Sequence, residues 1–523
     1  MEHTLLNRRE FVKATAGLAA LGLLAPLANL GVTSAYAAQD GTRIVLGRAT
    51  DSDNLDPVTC VGNQNIFVFN LIVEGLVKTS DDGKDIEPCL AESWDVSEDG
   101  KTYTFKVKSG LKFSDGTDVT ADDWQWTFDR AMQTTDSNWY SCVENIEKVE
   151  CPDATTVKVT TKEAAASTLA NLSIFELGVQ SKAYFDKVGA DEYKYGIIGT
   201  GPFALKEWKK GEYITLEANA NYRDSSLPLT QEIELKVVSD DNSRLMQLQG
   251  GDIDIATDVT FSSMSQLAND ANCEPHPDDS TMVYWLSLNT KNQYLSNDKV
   301  RQALIKATDA QQIVDMVSYG YCKPAGSIVS PSSQYCDTSL EPPKADVEAA
   351  KKLLEEAGYP GGGINLRLLL RSGNATNEQI AVVLQSQWQQ IGVTLTIDQR
   401  EATAYSAARN DMDLDLIISG WSDDVPDPTS LMQFAFDYSV TQGYYTGFEQ
   451  PDDMQELNKQ ATVELDVEKR KDLYKQIQQG FAEQHIFIPF MTVPWQNCIR
   501  KGVQDFVQTP LGSYRFEKLA KNA

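Results

Sequence analysis

The segment 413–428, DLDLIISGWSDDVPDP, begins with an apolar pattern that predicts a buried β-strand. Leu414, Leu416 and Ile418 recur at every second position, and Ile417 makes the opposite face apolar as well. A strand that is apolar on both faces is typical of the interior of an α/β sheet. We therefore expect this segment to lie inside such a sheet.

An acidic turn follows the predicted strand. Gly420 permits a sharp change of direction, and Trp421, Asp423, Asp424 and Asp427 come directly after it. Open α/β sheets bind ligands beyond the carboxyl ends of their strands, and an indole ring beside a carboxylate suits a cationic group. The alternative is a solvated acidic turn, because Asp and Pro are common turn residues.

Helical and strand periods alternate in the region before this turn. Apolar spacings of three and four predict helices over 347–357 and 380–391, each ended by a glycine. Hydrophobic strands are predicted over 364–370 and 393–397. A strand, a helix and a second strand in this order predict a crossover between parallel strands.

The N-terminal third has a different pattern. A short strand over 44–50 leads into a loop over 51–62 and an apolar helix over 65–76. Asp-Gly pairs at 82–83 and 99–100 predict hairpin turns between alternating strands. The sequence thus predicts an antiparallel sheet here, in addition to the parallel one.

Length and charge limit the architecture and the partners. A chain of 523 residues exceeds what one hydrophobic core usually serves, so two or three domains are expected. The net charge of −29 would repel phosphate backbones and anionic lipids. We therefore expect no nucleic-acid partner.

The first 37 residues resemble a twin-arginine export signal. Arg8 and Arg9 precede an apolar run over 14–30 that is too short to span a bilayer, and 35–37 reads Ala-Tyr-Ala, an A-x-A cleavage site. The alternative is an uncleaved membrane anchor. The signal interpretation predicts a mature protein in the periplasm or elsewhere outside the cytoplasm.

The eight cysteines leave two alternatives open. Export permits local disulfides, for which Cys142 with Cys151 and Cys322 with Cys336 are the nearest pairs in sequence. Because twin-arginine substrates fold before export in a reducing compartment, all eight could equally remain thiols.

Recognisable catalytic and metal-binding motifs are absent from the sequence. Only His276 and His485 follow the signal, neither of them in a cluster with ligand spacing, and no nucleophile elbow or P-loop occurs. We expect no enzyme activity, no cofactor and no resident metal. An exported hydrolase and a surface interaction protein are the alternatives from other classes, and turnover of a peptide on incubation would reveal the hydrolase.

Several motifs resemble family 5 of the solute-binding proteins of ABC importers, the dipeptide- and oligopeptide-binding proteins. The segment 90–132 matches the family's most recognisable signature, and the turn Trp-x-x-Asp-x-x-Asp-Pro at 421–428 resembles its ligand-anchoring loop. Further matches follow in the family's order at 196–208, 219–222, 250–255 and 300–309. The resemblance covers essentially the whole chain after the signal.

The resemblance implies an α/β fold with two lobes, of the periplasmic-binding-protein type (class II, cluster C), and an extra accessory domain. Domain I would comprise 38–78, 197–283 and 493–523. Domain II, the accessory domain, would be 79–196, and domain III, the second lobe, would be 284–492.

The same resemblance implies a monomeric protein that closes over a short peptide and presents it to the membrane permease subunits. By this resemblance Asp424 binds the α-amino group of the peptide, and Arg371, seventeen residues before Trp388, binds its carboxylate. Trp421 would lie beside the ligand. Asp423 departs from the family, in which a small neutral residue is common at this position, and the alternatives for it are a preference for basic ligands or exposure to water. Relatives that carry nickel complexes, haem or oligosaccharides make a non-peptide solute the alternative.

Two further groups of residues are weaker candidates for ligand contact. The first loop would supply backbone contacts from Thr59, Cys60, Val61 and Gly62, as this region does in relatives. Trp285, in a predicted strand, is the other candidate, although burial in the core is the alternative for it.

The export signal gives the first testable prediction. The exported protein should begin at Ala38, because Ala37 completes the cleavage site. N-terminal sequencing of the protein recovered outside the cytoplasm measures this directly. An exported form that retains residues before Ala37 would favour the anchored alternative.

Overall fold

The computed structural model describes residues 43–522, so the predicted signal over 1–37 and its cleavage site lie outside the described residues. The strands are β1 (Arg43–Arg48), β2 (Val77–Thr79), β3 (Ile86–Pro88), β4 (Ala91–Val96), β5 (Thr102–Val107), β6 (Ile146–Asp153), β7 (Thr156–Thr161), β8 (Phe203–Lys209), β9 (Tyr213–Ala218), β10 (Glu232–Val237), β11 (Ile255–Ala256), β12 (Cys273–Asp278), β13 (Val283–Leu288), β14 (Ile364–Arg371), β15 (Val393–Arg400), β16 (Leu416–Trp421), β17 (Phe487–Thr492), β18 (Trp495–Arg500), β19 (Val503–Gln504) and β20 (Ala520–Lys521).

Helices connect and cover these strands, and none of those described is long and apolar enough to cross a membrane. The α-helices are Asn63–Phe69, Ala121–Gln133, Tyr140–Val143, Thr168–Asn171, Lys182–Val188, Ala190–Tyr193, Asp241–Gly250, Phe261–Leu267, Asp298–Ala307, Ala310–Ser318, Val347–Glu356, Ala375–Gln389, Ala402–Asn410, Thr429–Phe436, Tyr438–Tyr445, Asp452–Val463 and Val467–Gln484, with a 3₁₀ turn at Phe175–Leu177. Within Tyr438–Tyr445 the backbone is left-handed at Gln442, Gly443 and Tyr444.

The largest sheet has seven strands in the order β12-β18-β11-β1-β10-β9-β8. β1 pairs in parallel with β10 and β11, whereas all other neighbours pair antiparallel. Its strands come from separate stretches of the chain, 43–48, 203–278 and 495–500. The chain therefore leaves this sheet after β1 and returns to it twice.

A four-stranded antiparallel sheet, β4-β5-β7-β6, occupies the first excursion. The predicted turn at 99–100 joins β4 to β5, and the turn at 82–83 lies between the antiparallel strands β2 and β3. Tyr103, Phe105 and Val107 on β5 are buried, as their alternation predicts. Both hairpin predictions are thus confirmed.

The second excursion forms a five-stranded sheet in the order β15-β14-β16-β13-β17. β14 and β15 pair in parallel over their full length, with the helix Ala375–Gln389 between them in sequence, so the predicted crossover is confirmed. β16, the strand predicted to be buried, lies at the centre of this sheet between β14 and β13.

The predicted helix over 65–76 is too long. The helix ends at Phe69, and the apolar residues beyond it pair with another part of the backbone. The carbonyl of Leu71 accepts from Phe203 N at 3.1 Å, and that of Ile72 accepts from Gly201 N at 2.8 Å. Burial between chain segments explains why this run is apolar without being helical.

Asp427, expected from the sequence to face a ligand, belongs to a buried ion pair instead. Its Oδ1 accepts from Arg470 Nη2 at 3.0 Å and from the backbone N of Thr429 at 3.0 Å, where the next helix begins. Arg470 also donates to the hydroxyl of Tyr335 and to the carbonyl of Ala461. Asp427 therefore fixes the turn to the helix Val467–Gln484.

This ion pair gives a stability prediction. Arg470→Ala should lower the free energy of unfolding by about 3–5 kcal/mol, because it leaves the buried Asp427 carboxylate without its counter-charge. Lys469→Ala is the matched control, since Lys469 is exposed on the same helix, and it should change stability by less than about 0.5 kcal/mol. Equal denaturation midpoints for the two variants would contradict this role of Asp427.

Candidate functional site

The candidate site lies at the carboxyl edge of the five-stranded sheet. β14 and β16 are parallel neighbours, so their last residues, Arg371 and Trp421, reach the same edge. The backbone at Gly420 passes close to Tyr284, since a Cβ at Gly420 would lie 2.7 Å from that ring. A glycine is needed here for close approach, and the strand then turns into the acidic segment.

Trp421 is half-buried at this edge. Its ring packs against Phe434 at a centroid distance of 5.0 Å and against Tyr444 at 6.2 Å, and the Tyr444 hydroxyl donates to the Gly420 carbonyl at 2.9 Å. Its indole Nε1 donates to Asp423 Oδ1 at 2.8 Å. The aromatic contacts hold the indole, and the indole holds the first carboxylate of the turn.

Asp423 is half-buried, and burial raises its pKa to about 7. The hydrogen bond from Trp421 opposes that rise, and the negative charges of Asp424 and Asp427 add to it. The backbone N of Asp423 donates to Thr281 Oγ1 at 2.8 Å. Asp423 is therefore anchored on two sides and titrates close to neutral pH.

The side chain of Asp424 is exposed to water, although many protein atoms lie near it. Its Oδ2 accepts from the indole Nε1 of Trp139 at 3.2 Å, the one hydrogen bond that Asp424 makes within 43–522. Burial raises its pKa to about 6, and the Trp139 hydrogen bond opposes the rise. The carboxylate lines a cavity of about 90 Å³ together with Glu74, Phe175 and Arg515. The other carboxylate oxygen, Oδ1, makes no hydrogen bond within 43–522.

Trp139 is a site residue that sequence reasoning missed. It precedes the helix Tyr140–Val143 in the first excursion of the chain and is 8% exposed. No local pattern points to it, because its partner Asp424 lies 285 residues further along. Only the packing of the two excursions against each other brings the two side chains together.

Arg371 is exposed at the end of β14 and has no hydrogen-bonded acceptor among the described residues. Arg409 is similar, since its buried Nε has no partner and its guanidinium lies 5.5 Å from the ring of Tyr445. Every other described arginine donates to a carboxylate or a backbone carbonyl. Burial raises the pKa of Tyr405, and both Arg409 and Arg371 oppose that rise, so the two cations lie near the same phenol.

Trp285 lies in the core, which was the alternative to ligand contact for this residue. It is completely buried in β13, donates to Ser287 Oγ at 3.1 Å and packs against Tyr444 at 5.3 Å. Trp388, which fixed the spacing to Arg371, is also completely buried and donates to Thr308 Oγ1. Both indoles lie in the core, where Trp285 supports Trp421 through Tyr444.

The first loop is only partly available for ligand contact. Thr59 and Val61 are exposed, whereas Cys60 is buried and its backbone N donates to Asp56 at 2.9 Å. Gly62 adopts a φ of 89° as the helix Asn63–Phe69 begins. The Cys60 amide is therefore not available to a ligand, whereas Thr59 and Val61 are accessible.

The described residues contain no group of three metal-ligating side chains, and all eight cysteines, which lie within 43–522, are free thiols. The site thus offers carboxylates, indoles and guanidinium groups for binding, with no activated nucleophile among them.

The chain thus forms parallel and antiparallel sheets joined by repeated crossings, and an accessible acid lies at one sheet edge. The model of the bacterial extracellular solute-binding proteins, family 5 (Middle), matches residues 85–442. The chain therefore belongs to family 5.

Individual relatives agree with this assignment. The glutathione-binding protein GsiB of Escherichia coli (strain K12) is 28% identical over 509 residues, covering 96% of this chain and 98% of that protein. The oligopeptide-binding protein AppA from Bacillus subtilis, solved with a nonapeptide, is 26% identical, covers 92% of this chain and 99% of its own, and has a TM-score of 0.74. NikA from Brucella suis, solved with Fe(III)-EDTA, is 24% identical with a TM-score of 0.84 and covers 92% of this chain and 100% of its own.

Family membership confirms the expected two-lobed α/β fold and the class of function. The chain is the substrate-binding component of an ABC importer, acts outside the cytoplasm and is not an enzyme. The solved relatives hold a nonapeptide in one case and a metal chelate in another, so the fold alone does not select the ligand.

The raised pKa of Asp423 predicts a pH-dependent stability. Its folded-state pKa of about 7 exceeds that of the unfolded chain, so this group should lower stability as pH rises from about 4 to about 7. Asp423→Asn keeps an acceptor for Trp421 and removes the titration. The loss of unfolding free energy between pH 5 and pH 8 should shrink by about 1–2 kcal/mol in this variant, a value discounted for hydration of the half-buried group.

Chemical denaturation at the two pH values measures this effect. Asp95→Asn, an exposed acid on β4, should leave the pH dependence unchanged. If Asp423→Asn and Asp95→Asn gave the same pH dependence as the parent, the raised pKa of Asp423 would be wrong.

Proposed function

We propose that the protein captures short peptides with a free amino terminus and delivers them to its permease. The observation that carries this proposal is the accessible Asp424 carboxylate, which has one indole donor and forms no ion pair within 43–522. The similarity to a glutathione-binding protein and to an oligopeptide-binding protein supports peptides over other solutes. Nickel complexes, haem and oligosaccharides are not favoured.

The amino end of the peptide would bind at Asp424. A carboxylate oxygen accepts several hydrogen bonds, so Trp139 on Oδ2 leaves Oδ1 for the ammonium group of the ligand. Charge-assisted bonds of this kind are short and strong, and they strengthen when closure removes water. Trp421 would place an aromatic surface beside the cation.

The carboxyl end of the peptide would bind at Arg371, with Arg409 as a second cation nearby. In a chain with a net charge of −29, two guanidinium groups without a carboxylate partner are unusual. The planar donor fork of arginine matches a carboxylate. A site with an acid at one end and a cation at the other would select ligand length more strictly than ligand sequence.

Binding would require the lobes to move. The cavity at Asp424, about 90 Å³, is far smaller than the roughly 300–1,000 Å³ of ordinary ligand pockets. In the proposed domain map, domain I (38–78, 197–283 and 493–523) and domain III (284–492) would open about crossings near 196–201 and 492–494. Closure would then follow from contacts of the ligand with both lobes.

The remaining parts of the proposal concern export and partners. The twin-arginine signal over 1–37 would direct the folded chain out of the cytoplasm. There a monomer would meet the membrane permease subunits, without any nucleic-acid partner.

Substitutions at the two ends test the site. Asp424→Asn should weaken binding of trialanine by roughly 30-fold to several thousand-fold, equivalent to about 2–5 kcal/mol, because the ammonium loses its counter-charge. Arg371→Ala should weaken dialanine more than pentaalanine, whose carboxylate lies elsewhere, and Arg371→Lys should have an intermediate effect because it keeps the charge but loses the fork. Calorimetry gives the dissociation constants.

Modified ligands and a control variant complete the test. N-acetylation of trialanine should match the loss in Asp424→Asn, and amidation of dialanine should match Arg371→Ala. Asp95→Asn should bind as the parent does. Unchanged binding of all peptides by Asp424→Asn and Arg371→Ala would reject the assignment of both ends.

A further inference from the structure

Trp139 and Asp424 connect two parts of the fold that the chain builds separately. Trp139 belongs to the excursion that carries the four-stranded sheet, and Asp424 belongs to the five-stranded sheet. Their side chains meet through the hydrogen bond from Nε1 to Oδ2 at 3.2 Å. The indole thus reaches the candidate ligand anchor from a different excursion of the chain.

The Trp139 ring is held in place from its own side. It packs edge-on against Phe175, with centroids 4.7 Å apart and planes at 74°, and Phe175 packs against the buried Phe69 at 5.2 Å. The backbone N of Trp139 donates to Ser137 Oγ at 3.2 Å. These contacts hold the indole in place. Its N–H can therefore bind Asp424 without the entropic cost of ordering a mobile side chain.

Other hydrogen bonds between these two parts within 43–522 end on backbone carbonyls, and one of them, from Gln334 Nε2 to the Lys84 carbonyl at 3.1 Å, has a side-chain donor. The backbone N of Ala166 donates to the Thr462 carbonyl at 3.2 Å, and the side chain of Leu465 lies against Gly100. The bond between Trp139 and Asp424 differs from them because it ends on a charged group.

We propose that Trp139 is a positioning residue that couples closure of the accessory region to the ligand anchor. Its indole N–H fixes one oxygen of Asp424 when the two parts meet, so that the other oxygen is presented to the amino group of the ligand. The inference rests on the proposed function for its effect on ligand binding, but the contact itself does not require a ligand.

The charges around Asp424 determine the pH dependence of this arrangement. On its own turn lie Asp423 and Asp427, the latter neutralised by Arg470. The other titratable groups that face it come from the helix Tyr140–Val143 and from the walls of the cavity: Cys142, Glu74, Lys78, Cys89, Tyr514, Arg515 and Glu517. The Trp139 bond lowers the pKa of Asp424 against the effect of burial, so loss of the donor should raise that pKa.

Trp139→Phe tests the proposal, because phenylalanine keeps an aromatic ring against Phe175 and removes the N–H. Trialanine binding should weaken by about tenfold at pH 6, and by less at pH 7.5, because a protonated Asp424 cannot pair with an ammonium. The midpoint of the affinity against pH should therefore move to higher pH. A purely structural loss would weaken binding equally at all pH values and would overturn the proposal.

Amide hydrogen exchange of the ligand-free protein provides a second measurement. Exchange at Ala166 should become about tenfold faster in Trp139→Phe, because the two parts separate more often. Trp94→Phe is the matched control, since Trp94 lies on β4 and packs against Phe105, and it should change neither measurement. If Trp139→Phe behaved as Trp94→Phe does in both measurements, the coupling would be wrong.

The two proposals fail in distinguishable ways. If trialanine does not bind the parent, the peptide function is wrong, whereas exchange at Ala166 still decides whether Trp139 holds the closed arrangement. If trialanine binds but Trp139→Phe shifts neither the pH midpoint nor the exchange, the peptide function stands and the coupling is rejected.

Discussion

Three carboxylates lie within five residues of one turn, and the rest of the site depends on the separate hydrogen-bond donors that hold them. Each has a different donor: Asp427 has Arg470 from its own lobe, Asp423 has the indole of Trp421, and Asp424 has the indole of a distant part of the chain. Burial disfavours ionisation of Asp423 and Asp424, and for Asp423 the charges of Asp424 and Asp427 disfavour it further. Arg470 neutralises Asp427, whereas burial raises the pKa of Asp423 to about 7 and that of Asp424 to about 6.

Because Asp423 and Asp427 are held by other side chains, Asp424 is the acid of this turn that stays accessible. Asp427 is occupied on both oxygens and holds the turn to the helix Val467–Gln484, while Asp423 is fixed through Trp421 and Thr281. Asp424 alone combines access to the cavity with a free oxygen. A turn that presents one carboxylate fits a binding protein, because a cationic group of the ligand can supply the positive charge that pairs with Asp424.

The sequence predicted the parts of the fold that depend on local pattern. Hairpins at Asp-Gly pairs, the crossover between β14 and β15, and the buried strand before the acidic turn all follow from period and turn chemistry. The prediction that the helix continues beyond Phe69 was wrong, because Leu71 and Ile72 pair with the backbone of Phe203 and Gly201. No local pattern encodes that contact.

The site was predictable only in part, for the same reason. Trp421 and Arg371 could be placed at one sheet edge because parallel strands end together. The roles of Asp427, Trp285 and Trp139 depend on long-range packing: Arg470 lies 43 residues from Asp427, and Trp139 lies 285 residues from Asp424. Residue type alone could not distinguish the carboxylate that pairs internally from the one that stays open.

Native mass spectrometry of the protein purified from its own extracytoplasmic compartment tests the central claim most directly. The account predicts co-purified masses that fragment as short peptides with free amino termini, and their loss from the Asp424→Asn protein prepared in the same way. A metal chelate, haem or a sugar in their place, or peptides retained equally by Asp424→Asn, would contradict it.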